Sequence, residues 1–493
     1  MATLKYLLAI DQGTTGTHVF VLDSKLRIAG ASYSEFRQHF PKPGWVEHDL
    51  GEIWSSVEAC VAKALRDARL RPNQIAGIGI TNQRETTGLW RRSNGKPIHR
   101  AIVWQDRRTA TQCAELKQRG EEERVRSITG LVLDPYFSAT KLRWLLEHLE
   151  ASREAESGEL CFGTIDTWLV YRLTGREVHV TDTSNASRTL LMNLRSLDWD
   201  PQMCDLFSVP RSVLPKIRSS AEVYGRTHGL RSLPDGIPIA GMAGDQQSAL
   251  FGQACFNSGE AKCTYGTGAF LLMNTGDSAV QSHNGLLTTV AWTLKGKTSY
   301  ALEGSCFVAG AAVQWLRDGL KLISKSSDVE GLAKSVKDSG DVVFVPALSG
   351  LGAPHWRPNA RGLIGGLDRS TTAGHLARAV LEGIALQVTD LAAAMRADAG
   401  FQLSSLKVDG GAAANNLLMQ LQADFLGTAV IRPQNLQTTS LGAALLAGIG
   451  IDLWSDVDEI RRVWRTGRVF QPKMSLTERE RHLAKWRRAI AAA

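Results

Sequence analysis

The chain has 493 residues, 43% of them hydrophobic and 22% charged, with a formal net charge of +8. That length exceeds what one hydrophobic core sustains and predicts two large domains of ordinary soluble composition. The positive charge is spread along the chain without a run of ~5–6 basic residues, which argues against a nucleic-acid partner. Apolar runs such as Leu441 to Ile451 stop short of the roughly 18 residues of a membrane span. Met1-Ala2-Thr3-Leu4-Lys5 enters a strand-like run with no cleavable leader, so cytoplasm is the expected compartment. Seven cysteines (Cys60, Cys113, Cys161, Cys204, Cys255, Cys263, Cys306), odd in number and without a Cys-x-x-Cys pair, predict free thiols.

From the N-terminus, Tyr6 to Ile10 is apolar, Asp11 to Gly16 is a turn, and His18 to Leu22 is apolar again. A third strand candidate starts near Leu26, which makes a meander. Helical spacing follows over Glu52 to Arg69. The second half repeats this plan. Ala261 to Thr264 leads into the turn Tyr265-Gly266-Thr267-Gly268, and Ala269 to Met273 is strand-like. Leu286 to Trp292 and Ser299 to Leu302 extend that sheet, and Gly374 to Met395 reads as a helix. The predicted division is residues 1–248 and 249–493, among the small residues of Gly241 to Gly252. The basic group Arg479 to Arg488 reads as the solvated face of a C-terminal helix.

Chemistry concentrates in a few segments. In "LAIDQGTTGTHVFVLD" a strand ends at Asp11 before Gly13, Thr14, Thr15 and Gly16. Small residues let backbone N–H groups approach phosphate oxygens, and a strand-end carboxylate suits hydrated magnesium; the same turn also closes an ordinary hairpin. "AKCTYGTGAFLLMN" presents Thr264, Gly266, Thr267 and Gly268 in the same context, so two such turns suggest one nucleotide gripped from both halves. No Walker-type phosphate loop occurs. Asp245 in "GMAGDQQSALFG" stands before a helix, where it either caps that helix or accepts a hydroxyl proton during phosphoryl transfer. In "LKVDGGAAANN" Gly410 and Gly411 would let a base or ribose lie on the backbone near Asn415, or simply turn a strand into a helix. Adjacent Arg84 and Glu85 could bind neighbouring hydroxyls or form an exposed ion pair, and Trp104 and Phe270 could wall carbon atoms or fill the core.

These segments, with "PKPGWVEHD", "GITNQRETT", "AIVWQDRRTA", "DPYFSATKLRW", "HVTDTSNASRTLL" and "ALEGSCFVAGAAVQWLRD", run in order to about residue 450. They resemble the glycerol kinases of the FGGY family of carbohydrate kinases. The resemblance implies an α/β fold of two ribonuclease-H-like domains, as in actin and hexokinase, closing over a central cleft. It implies ATP-dependent phosphorylation of glycerol with magnesium as cofactor and Asp245 as general base. Arg84, Glu85, Tyr136, Asp245 and Gln246 would bind glycerol, with Trp104 and Phe270 against its carbons. Asp11 and Asp245 would hold magnesium. Thr14, Thr15, Gly16, His18, Thr267, Gly310, Gln314, Gly411 and Asn415 would contact the nucleotide. The implied assembly is a homo-oligomer, a dimer or tetramer. Two departures stand out. His18 replaces the Arg usual in the first turn, and "GRTHGLRSLPDGIP" lacks the Gly- and Arg-bearing stretch that binds fructose 1,6-bisphosphate in bacterial relatives.

Overall fold

The computed structural model describes residues 6–357 and 359–493. The leaderless start expected over residues 1–5 lies outside them. The first half supplies β1 (Tyr6–Gln12), β2 (Gly16–Asp23), β3 (Ile28–Glu35), β4 (Ile75–Asn82), β5 (Ala221–Arg226) and β6 (Pro238–Gly244). The second supplies β7 (Glu260–Tyr265), β8 (Ala269–Gly276), β9 (Leu287–Leu294), β10 (Lys297–Cys306), β11 (Ser405–Asp409), β12 (Val430–Pro433) and β13 (Thr466–Phe470). The helices used below are α1 (Leu50–Asp67), α2 (Asp245–Gly252), α3 (Gly310–Asp318), α4 (Ala373–Ala399), α5 (Asn416–Leu426), α6 (Thr438–Gly450) and α7 (Leu476–Ala492).

The two main sheets have one plan. The first runs β5-β6-β4-β1-β2-β3 and the second β9-β10-β8-β7-β11-β12-β13. In each, three antiparallel strands are followed by two parallel ones and a final antiparallel edge: β3-β2-β1-β4-β6-β5 matches β10-β8-β7-β11-β12-β13. Only β9 is extra in this comparison. The two-domain α/β plan expected from sequence is therefore present, and the meander strands lie where their apolar runs put them. The first strand extends past Ile10 because Asp11 and Gln12 still pair with His18 and Thr17 on one side and Thr81 and Asn82 on the other. The division expected at 248/249 falls inside α2.

Local chemistry sets the helices. Asp49 caps α1 by accepting from the N–H groups of Gly51 and Glu52, and the inner stripe Ile53, Trp54, Val57, Cys60, Val61 and Ala64 packs on the first sheet. Along α7, Trp486, Ala489 and Ile490 are buried while Arg481, Arg487 and Arg488 face solvent, as a solvated basic face requires. All seven cysteines are free and buried. No helix among the described residues is long and apolar enough to cross a membrane.

The halves meet through α2 and α6. Although α6 follows the second sheet's core strands in sequence, it packs on β1, β4 and β6 and against α2. Backbones touch there. A Cβ on Gly79 of β4 would stand 2.0 Å from the Ala443 carbonyl oxygen, and one on Gly442 would stand 1.9 Å from that of Ser248. Nothing larger than hydrogen fits without moving a helix. Gly79→Ala should therefore destabilise the protein by about 1–3 kcal/mol, the usual cost of overpacking, in a denaturant titration. An unchanged midpoint would mean that α6 shifts freely.

A half-buried histidine should make the fold acid-sensitive. His179 packs its ring edge-on to Trp90 and reaches the Phe162 carbonyl oxygen at 2.8 Å. Burial outweighs that bond and pushes the imidazole down to about 4. The unfolded chain, with His near 6.5, binds the proton first, so stability is full above that pH and is lost as pH falls from 6.5 toward 4. The expected slope for this group is about 1.4 kcal/mol per pH unit. Stability curves from pH 7 to 5 should flatten by one proton in His179→Asn; parallel curves would assign the acid sensitivity elsewhere.

Candidate active site

Strand β4 ends in an unusual bend. The Thr86 N–H donates to the Arg84 carbonyl at 2.7 Å across Glu85, whose φ is +60°. This is a γ-turn of the strained hand, rare for a residue with a side chain. Hydroxyls of Ser138 and Thr87, each at 3.0 Å from the Glu85 carbonyl, hold it. The bend lets two consecutive side chains enter one buried network.

In that network Arg84 grips Glu303 of β10 with both terminal nitrogens, at 2.5 and 2.9 Å. Its Nε lies 3.2 Å from Asp245, and its other donors reach Tyr136 Oη at 3.3 Å and Gln247 Oε1 at 3.2 Å. Arg188 joins Glu85 at 2.7 Å to Glu303 at 3.0 Å. Two guanidinium groups and two carboxylates thus neutralise one another away from water. Burial alone would raise the Glu303 carboxyl, but Arg188 and Arg84 overcome it and hold it down at about 2.

Asp245 opens α2. Its Oδ1 accepts from the Gln246 N–H at 2.7 Å, and its side chain stays 31% exposed, open to a ligand. Asp11, from β1, is half-buried. Burial, with Asp245 adding repulsion against a 2.8 Å hydrogen bond from Ser440, pushes its carboxyl up to about 7. Lys262 bridges Gln246 and Thr264. Trp104 packs edge-on to Tyr136, centroids 5.5 Å apart, and donates from Nε1 to Thr14 Oγ1 at 2.9 Å. Polyol-side and phosphate-side candidates therefore touch. Phe270 stands half-buried on β8, opposite Thr264 and Ser305, outside these ring contacts.

The first turn is closed by Gly13 N–H donating to the Gly16 carbonyl at 2.9 Å. His18 pairs with Asp11 across β1 and β2, but its ring stacks on Tyr33 at 4.3 Å, and burial holds it below its ordinary pKa. At the second turn, the start of α3 lies on the backbone. Gly310 N–H donates to the Gly266 carbonyl at 3.0 Å and Ala309 N–H to that of Thr267 at 2.8 Å. Thr267 and Gln314 are exposed beside it. Gly410 (φ +86°) passes so close to Tyr265 that a Cβ would sit 2.5 Å from its carbonyl oxygen, whereas a Cβ on Gly411 would meet nothing within 4 Å. Thr267, Gly310 and Gly411 therefore surround one turn with open space above Gly411. Asn415 Oδ1 caps α5 by accepting from Leu418 N–H at 3.0 Å, which leaves its amide nitrogen for other work.

Glu303, Arg188, Gln247, Lys262 and Ser440 were not singled out from sequence. Glu303 and Arg188 had a signal: one charge inside an otherwise apolar or small-residue run. Among the described residues no three or more His, Cys, Asp or Glu side chains gather as a metal site.

The sequence and the fold match a defined class. The FGGY family of carbohydrate kinases matches over most of the chain, its N-terminal domain at residues 6–252 and its C-terminal domain at 261–451. The chain belongs to this family and is an enzyme of its kinase type. It is 67% identical over 496 residues to a glycerol kinase of Myxococcus xanthus, covering all of both chains. It is 55% identical to a glycerol kinase of Carboxydothermus hydrogenoformans, covering 100% of this chain and 98% of the other. Among solved structures, Plasmodium falciparum glycerol kinase with ADP superposes with a TM-score of 0.94 at 39% identity, over 99% of this chain and 98% of that one. A gluconate kinase from Lactobacillus acidophilus (TM-score 0.89, 23% identity, 99% and 97% covered) shares the fold alone.

Glu303→Gln should expose the dependence of this site on the second half. Removing one partner of a buried ion cluster costs about 3–5 kcal/mol, read as a lower urea midpoint. A loss below about 0.5 kcal/mol would mean that the two arginines find other acceptors.

Proposed function

We propose that this enzyme transfers the γ-phosphoryl group of ATP to a terminal hydroxyl of glycerol, giving sn-glycerol 3-phosphate and ADP. The observation that carries this reading is the convergence of Arg84, Glu85, Tyr136 and Asp245 beside Trp104, in a chain whose end-to-end relatives are named glycerol kinases. Arg84 Nε lies 3.8 Å from Glu85 and 3.2 Å from Asp245, a guanidinium between two carboxylates that suits hydroxyls able to donate and accept, and the indole offers an apolar wall. In this reading Arg84, Glu85, Tyr136, Asp245 and Gln246 bind the polyol and Trp104 and Phe270 enclose its carbons. Thr14, Thr15, Gly16, His18, Thr267, Gly310, Gln314, Gly411 and Asn415 form the nucleotide side. Residues 1–248 carry the polyol pocket and first phosphate turn, and residues 249–493 the nucleotide pocket.

Asp245 acts as the base. Held by Arg84 Nε and its own helix start, its carboxylate accepts the proton as the hydroxyl oxygen attacks the γ-phosphorus and the bond to the ADP oxygen breaks in line. Asp11 and Asp245 would hold magnesium. Two carboxylates close enough to repel fit an ion that keeps most of its waters and takes its other ligands from phosphates. Bound there, the ion neutralises charge on the transferring phosphoryl group. A cytoplasmic homo-oligomer completes the reading.

A substrate panel of glycerol, xylulose and gluconate with product identification tests the assignment. Glycerol should be preferred by orders of magnitude, and preference for a longer sugar would overturn it. Asp245→Asn should lower kcat by about 10²–10⁴-fold at an unchanged melting temperature; a few-fold loss would remove Asp245 from the role of base. His18→Arg should tighten ATP binding, since a permanent charge replaces a ring held neutral by burial. Equal ATP affinities would leave His18 as a partner of Tyr33 only.

A further inference from the structure

Behind the first turn lies a buried relay that the mechanism above does not use. His48 is wholly buried, edge-on to Phe36 with centroids 5.0 Å apart. Its Nε2 is 2.6 Å from Gln38 Oε1, and its Nδ1 is 3.2 Å from Gln83 Nε2. Gln38 Nε2 donates to the Thr14 carbonyl at 3.0 Å, and Gln83 Nε2 to that of Gly13 at 3.1 Å.

The direction of every bond follows from its ends. Backbone carbonyls only accept, so both glutamines must present their NH₂ groups to the turn. Gln38 then offers its Oε1 to His48, which must donate from Nε2. A neutral ring that donates there must accept at Nδ1; Gln83 supplies that donor with one amide hydrogen and gives the other to the Gly13 carbonyl, which Gln12 Nε2 also reaches at 2.8 Å. Burial, with His39 adding repulsion, pushes the His48 imidazole down to about 3, so the ring keeps this single tautomer at any working pH.

We propose that His48, acting through Gln38 and Gln83, is the positioning residue of the first phosphate turn. The peptide plane transmits the effect. In a trans peptide the C=O of one residue and the N–H of the next point in opposite directions. Drawing the carbonyls of Gly13 and Thr14 back onto the glutamines therefore aims the N–H groups of Thr14 and Thr15 the other way. Two carbonyl oxygens that would repel a polyphosphate are occupied, and two donors are set before it arrives, at no cost of reorganisation on binding. Trp104 fixes the Thr14 hydroxyl independently, so the relay governs backbone and not side chain.

This inference rests on the nucleotide reading of the turn, and its test separates the two. Kinetics with ATP and glycerol, and calorimetric ADP binding, are compared for wild type, His48→Leu, Gln38→Leu and His48→Gln. In both Leu variants the KM for ATP and the Kd for ADP should rise about tenfold, as for one or two lost hydrogen bonds, while the KM for glycerol stays within about twofold. His48→Gln, which can still donate on one side and accept on the other, should recover most of the affinity. ATP and ADP values within about twofold of wild type would overturn the proposal, as would parallel rises for ATP and glycerol. If His48→Leu fails to fold, the half-buried Gln38→Leu decides alone. Wild-type protein that neither phosphorylates glycerol nor binds ADP would instead refute the functional reading.

Discussion

A single carboxylate, Glu303, is the point on which the site depends. It stands on a strand of the second sheet and is bracketed by Arg84 and Arg188 of the first half. Without it two guanidinium groups would face each other in a space from which water is excluded, a cost far above what the remaining hydrogen bonds return. With it, Arg84 has one orientation. Its Nε then falls beside Asp245, its outer nitrogen beside Tyr136, and Arg188 remains to hold Glu85. Buried ion pairs contribute little net stability, but they fix geometry, and here the fixed object is the candidate polyol pocket.

The duplicated sheets explain why that carboxylate can reach. Each half offers a strand–turn–strand edge to the shared cleft, and α2 and α6 cross between them with backbones in contact at Gly79 and Gly442. So close a seam keeps the sheets at a distance set by backbone atoms, and side chains as short as Glu303 and Ser440 then span the gap. Ser440 does so from α6, donating to Asp11 on β1. Both candidate magnesium ligands are consequently positioned from the seam, Asp245 at the start of α2 and Asp11 beneath α6.

Local features of this arrangement were legible in the sequence. The meander strands, the two Gly/Thr turns, the helix after Asp245 and the turn at Gly410 announce themselves within ten or so residues, because apolar alternation and small-residue punctuation are local signals. The partners of those residues are not local. Arg84 and Glu303 are 219 positions apart, Arg188 and Glu303 115, and Asp11 and Ser440 429. No spacing rule connects them, so Arg84 and Glu85 by themselves read as an exposed ion pair. The left-handed φ of Glu85 was hidden for the opposite reason. Sequence would assign such a bend to glycine, and it exists here only because Ser138, Thr87 and Arg188 hold it.

The strained bend and the ion cluster depend on each other. A γ-turn with a side chain at its centre costs energy that a strand end would ordinarily avoid by relaxing, which would turn Glu85 outward. Relaxation would also strip Arg188 of its 2.7 Å partner and leave a buried guanidinium with Glu303 as its carboxylate contact. Arg84 and Arg188 would then share Glu303, and the penalty of about 3–5 kcal/mol for breaking a buried pair exceeds the ~1–3 kcal/mol of strain, so the bend persists. The same reasoning separates the two sides of the site. On the candidate polyol side, charges hold a strained backbone; on the candidate phosphate side, neutral amides and a neutral imidazole hold the turn. A carboxylate behind that turn would repel an anion in front of it, and a neutral relay fixes the peptide planes without adding a field of its own.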